Sequence, residues 1–156
     1  MMASLPYLLA IGIGFVAGLR AMTAPAAIAW AAYLLWLPLA GTALAFMGSI
    51  WAVGIFTLLA VLELVGDQLP STPSRKVPVQ FGTRLLMGAL CGAALGAAAG
   101  VLLAGMACGV VGAVLGTYLG AAARAALARA FGRDLPAALI EDLVAVGGAY
   151  LIVHGI

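Results

Sequence analysis

No Asp, Glu, Lys or Arg falls between Arg20 and Glu63, and none between Arg84 and Arg124. Uncharged stretches of that length leave few folds open, because about 20 apolar residues in a helix cross the hydrocarbon core of a bilayer. In lipid only a helix or a closed barrel satisfies every backbone N–H and C=O. The sequence has no ten-residue alternation of polar and apolar side chains such as a barrel strand requires. The chain is 66% hydrophobic and 8% charged, with a mean hydropathy of +1.24, which leaves little room for a soluble class. These features predict one integral membrane domain over residues 1–156. The fold class is all-α and polytopic: a compact bundle of six transmembrane helices arranged as hairpins with glycine-rich packing, the alternative being five spans and one re-entrant segment.

The apolar runs cover residues 5–19, 26–40, 42–65, 85–103, 105–123 and 136–156. Pro25 and Pro136 each suit the first turn of a new helix. The run over 26–40 is short for a span, so it reads as a tilted crossing or a re-entrant helix. Its Trp30, Tyr33 and Trp36 fit an interfacial end, and Pro38 with Gly41 predicts the turn. No Lys or Arg precedes the first apolar run, which argues against a cleaved leader.

If all six runs cross, every basic residue falls on one face: Arg20, then Arg75, Lys76 and Arg84, then Arg124, Arg129 and Arg133. The excess of Lys and Arg in cytoplasmic loops makes that face cytoplasmic and puts both termini outside. The net charge of +2 lies beside apolar spans and forms no basic stripe, so nucleic acid is not an expected partner. Cys91 and Cys108 show neither CxxC nor Cys/His spacing and read as small packing residues. The lone His154, near the far end of the last run, reads as a solvated terminal residue.

Gly88, Gly92, Gly96 and Gly100 recur every fourth residue, as do Gly112, Gly116 and Gly120. Small residues at that spacing let backbones approach closely, which in lipid replaces the hydrophobic drive. They predict a tight hairpin; the same faces would also suit a homo-oligomer. Gly14, Gly18, Arg20 and Pro25 echo Gly116, Gly120, Arg124 and Pro136, a weak internal repeat of a helical hairpin.

Chemistry concentrates at the charged face. Glu63 and Asp67 stand four residues apart at the end of a helix, and two like charges there need a counter-charge, a cation or a shared proton. After them come Pro70, Ser71, Thr72, Pro73, Ser74, Arg75 and Lys76, a proline-shaped loop with hydroxyls beside basic groups. Acids in membrane helices are costly, about 2.5 to 3.5 kcal/mol each at mid-bilayer. All five acids of the chain fall with the seven bases. Glu63, Asp67, Glu141 and Asp142 are therefore expected to gather with Ser74 and with Arg20, Arg75, Arg84 and Arg124. Such a site would bind an ionic solute or a lipid headgroup, as in a transporter or lipid translocase, with no cofactor. Two alternatives stay open. The four carboxylates would hold Mg²⁺ in a membrane lipid phosphatase, or the chain would be a scaffold acting through its glycine faces and a salt-bridge network.

The stretch from Glu63 through Gly66, Asp67, Pro70, Pro73, Ser74 and Arg75, with Arg84 and the Gly/Ala repeats, resembles the family called domain of unknown function 4126. Gly14, Gly18, Leu19 and Arg20 near the start, and Glu141 with Asp142 near the end, match its other recurrent blocks. The resemblance implies a small bacterial integral protein of the inner membrane and no particular activity. Gln68 departs from it, since that family's loop suggests a Lys there. The helix around Leu139, Glu141, Asp142 and Gly147 is also similar to the acidic helix of phosphatidylglycerophosphatase A, which implies Mg²⁺-dependent lipid phosphatase chemistry as the runner-up.

Overall fold

The computed structural model describes residues 4–69 and 76–156. Among these residues there are six α-helices and no strand: α1 (Leu5–Leu19), α2 (Thr23–Tyr33), α3 (Ile50–Gly66), α4 (Pro78–Ala98), α5 (Leu102–Phe131) and α6 (Asp134–His154). A short 3-10 helix, Ala45–Gly48, precedes α3.

The helices alternate in direction. Arg20, Glu63, Arg84, Arg124 and Glu141 mark one end of the bundle, which we call the charged end. At the opposite end the start of α1 at Leu5 shares a hollow with Trp36, with Ala98 at the end of α4, and with Ile156. There His154 lies between Tyr150, stacked at 5.3 Å, and Trp36, edge-on at 5.4 Å. It is exposed, as expected, though flanked by two rings.

Three helices, α4, α5 and α6, are long and apolar enough to cross a membrane, and α1 and α3 are shorter apolar helices. The outward faces carry Leu58, Leu62, Val111, Leu115, Leu143 and Leu151, all exposed. That distribution belongs to a membrane protein, whose exterior meets lipid.

Several boundaries differ from the expected ones. The run over 26–40 is helical only to Tyr33, about 16 Å of rise, too short for a bilayer core by itself. Beyond it Leu35 takes a left-handed φ of 62°, which ends the helix, and Trp36 and Leu37 carry the chain on to the end opposite the charged one. The run over 42–65 becomes an α-helix only at Ile50, after Ser49 accepts from the Ala52 amide at 3.1 Å as an N-cap. The turn between the two glycine-rich helices falls at Gly100, φ 74°, and not at residue 104 between the two apolar runs. Helix α5 then continues through Arg124 and Arg129 until Gly132, φ 67°, supplies a left-handed end. That basic stretch is helix and not a connection.

Glycines set the tightest contacts. A Cβ on Gly92 would stand 2.8 Å from the Gly109 Cα, and one on Gly96 would stand 2.9 Å from the Gly105 Cα. A Cβ on Gly18 would meet Gly116 at 2.7 Å. Helix α5 thus packs its small faces on α4 and α1 of the same chain, with Ile11 and Phe15 over Gly112 and Gly116. Gly100 is the exception in its series: it makes the turn and has open space around it. The interior beside this seam holds Ile13, Ile28, Leu37, Met47 and Cys91, all fully buried.

Candidate charged site at the α1–α2 break

Only Arg20, Ala21 and Met22 separate α1 from α2, so the break exposes the last carbonyls of one helix and the first amides of the next. Two other helices supply the missing partners. From α3, Glu63 accepts from the Ala21 amide through Oε1 and from the Met22 amide through Oε2, each at 2.8 Å. A carboxylate at a helix N-terminus also suits the helix dipole. From α4, the buried Arg84 donates Nη1 to the carbonyls of Gly18, at 2.6 Å, and Leu19, at 2.7 Å. The Gly18 carbonyl also lies 3.4 Å from the Thr117 hydroxyl of α5. Arg84 Nη2 stands 3.9 Å from Glu63 Oε1, so the two capping groups neutralise one another.

Arg20 itself points the other way. It is 0% exposed and pairs with Asp67 just past α3 and with Asp142 of α6, where Nε donates to Oδ1 at 2.6 Å. Its Nη2 lies 3.7 Å from Glu141 Oε2. Arg124 approaches from α5: Nη1 pairs with Asp67 and lies 3.4 Å from Glu141, while Nη2 donates to the Asp67 carbonyl at 3.2 Å and to Asp134 at 2.5 Å. Gln68 donates to Asp142 at 3.3 Å. A buried guanidinium needs this many acceptors, because an uncompensated charge away from water is strongly destabilising.

The structure therefore brings together Arg20, Glu63, Asp67, Arg84, Arg124, Glu141 and Asp142. Ser74 and Arg75, expected in the same site, lie outside the described residues. Asp134 was not expected there and joins through Arg124; its position opposite Arg124 follows from α5 and α6 forming a hairpin closed by Gly132. The roles of Glu63 and Asp67 also separate. Among the described residues the pair shares no counter-charge: Glu63 faces backbone amides and Arg84, whereas Asp67 faces Arg20 and Arg124. Lys76 sits over the Tyr118 ring at 5.6 Å, and Arg129 and Arg133 are exposed on the last turn of α5 and just beyond it.

Two apolar hollows adjoin the cluster. One, of about 200 Å³, lies among α1, α5 and α6, and Arg124 and Glu141 stand in its otherwise apolar wall with Phe15, Leu119 and Val144. The other begins at Thr23 and runs between α2, α3 and α6. Among the described residues no three of His, Cys, Asp and Glu are grouped as a metal ion would need.

An all-helical bundle with three membrane-length apolar helices and its ion pairs at one end is an integral membrane protein by architecture. The family model for Domain of unknown function (DUF4126) matches residues 7–155, and the chain belongs to that family. No curated protein and no solved structure matches it.

Proposed function

We propose that this protein binds an ionic solute or a lipid headgroup at the Arg20–Asp67–Arg124 cluster and moves it across the bacterial inner membrane, in the manner of a transporter or lipid translocase. In this reading the charged end faces the cytoplasm, in keeping with the one-sided Lys and Arg. One observation carries it: Arg124 and Glu141 belong to the ion-pair cluster and also line an apolar hollow between α1, α5 and α6. A salt-bridge network that only pinned helices together would have no need of a greasy approach to its charges. An amphiphile entering that hollow meets a guanidinium for an anionic group and a carboxylate for a cationic one. The pairs formed by Arg20 and Arg124 reach α3, α5 and α6, so exchanging one internal partner for a ligand shifts contacts among those helices together.

The test uses liposomes of phosphatidylethanolamine and phosphatidylglycerol containing the purified protein. Fluorescent phosphatidylglycerol in the inner leaflet should become accessible to an external quencher faster than in protein-free liposomes. A parallel series with entrapped organic cations and anions reads solute movement. Rates equal to those of empty liposomes for every probe would remove the proposal.

A further inference from the structure

We infer that the cleft between α2, α3 and α6 holds one acyl chain of a membrane phospholipid, with the Thr23 hydroxyl donating a hydrogen bond to that lipid's ester carbonyl. The cleft measures about 320 Å³. Ligand sites begin at roughly that size, and they are mostly apolar with a few placed polar groups.

Three observations fix the occupant. Helix α3 packs against α2 and the short helix before it, and among the described residues it has no comparable packing against α6, although both face the cleft. Close-packed interiors leave few such gaps, so a gap between two apolar helices needs a filler. Next, the cleft opens sideways: Val61 and Val146 on its rim are 51% and 46% exposed, and their outward neighbours include Leu58, Leu62 and Leu143. The medium at that opening is hydrocarbon. Finally, Thr23 is 7% exposed and its Oγ1 has no hydrogen-bond partner among the described residues. It is the first residue of α2, next to the Met22 amide held by Glu63, and so stands at the charged end where a lipid's ester groups lie.

The main competitor is a helix from a second copy; at about 10 Å across it would meet the cleft only with its side chains, whereas a single flexible chain can lie along it from Thr23 and Leu64 toward Tyr150.

This occupancy is independent of headgroup movement, and its test involves none. Protein in phosphatidylethanolamine and phosphatidylglycerol vesicles is irradiated with a trace of phosphatidylglycerol bearing a diazirine in mid-chain, and adducts are mapped by mass spectrometry. Adducts on cleft residues of α2, α3 and α6 should exceed those on the outward Val111 and Leu115 of α5 by about tenfold. Val146→Trp should abolish the excess and leave α5 labelling as it was. Thr23→Val keeps the shape without the hydroxyl and should lower cleft labelling about two- to tenfold, the worth of one hydrogen bond, while leaving an ether-linked probe unaffected. Uniform labelling around the wild-type bundle, or cleft labelling unchanged by Thr23→Val, would overturn the assignment.

Discussion

Arg20 and Arg124 close on the same atom: each presents its Nη1 to Oδ2 of Asp67. One arginine ends α1 and the other lies in α5, so a single carboxylate just beyond α3 joins three elements far apart in sequence. Arg20 is wholly buried and cannot replace a lost partner with bulk water.

Asp67→Asn is therefore expected to destabilise the protein by about 3 to 5 kcal/mol, the usual cost of removing one partner from a buried pair. Unfolding in a denaturing-detergent titration measures it. Asp134→Asn removes a partner of the same Arg124, but Asp134 is exposed, and the expected loss is under about 1 kcal/mol. The contrast between the two acids is the informative result.

Glu63 acts on backbone. Glu63→Gln can still accept from one amide, but its NH₂ group then faces the other, leaving a partly buried donor without an acceptor at a cost of about 1 to 3 kcal/mol. Hydrogen exchange at Ala21 and Met22 should accelerate in that variant before exchange elsewhere in α2 changes.

Glycines separate into two sets. Gly92→Ala and Gly18→Ala place a methyl group against backbone that cannot step aside, and both should lower the melting temperature in detergent. Gly54→Ala and Gly82→Ala meet open space in helices and should be neutral or stabilising by up to about 1 kcal/mol.

The convergence of charge was legible in the sequence because lipid leaves so few places for it. Once the apolar runs are taken as helices, Arg20, Asp67, Arg124 and Glu141 have one end of the bundle available. The partner of each was not legible. Spacing of four suggested that Glu63 and Asp67 act as a pair, yet Glu63 lies beside the open amides of the α1–α2 break and Asp67 beside Arg20 and Arg124, which the sequence gives no way to foresee. Arg84 read as one basic member of the charged site, and it also caps α1, because the break at Arg20 leaves carbonyls that no apolar side chain can serve. Helix ends were obscured for a related reason. In apolar sequence hydropathy does not change where the backbone does, so Tyr33 ends a helix without a change in composition, while the charge that begins at Arg124 falls inside a helix that runs on to Phe131. Ser49 and Gly132 were the local signals: a hydroxyl before an apolar helix and a glycine after a basic one.

The central claim is that the ion-pair cluster is a passage for charged groups as well as a clasp between helices. Glu141→Gln is the most direct probe, since Glu141 lines the hollow beside Arg124 while Asp67 and Asp142 still hold Arg20. In liposomes, with helical content and melting temperature verified, transfer of fluorescent phosphatidylglycerol or of the solute probe that moves in the wild type should change in rate by about tenfold or more. A folded Glu141→Gln protein that moves the same probe at the wild-type rate would contradict the account.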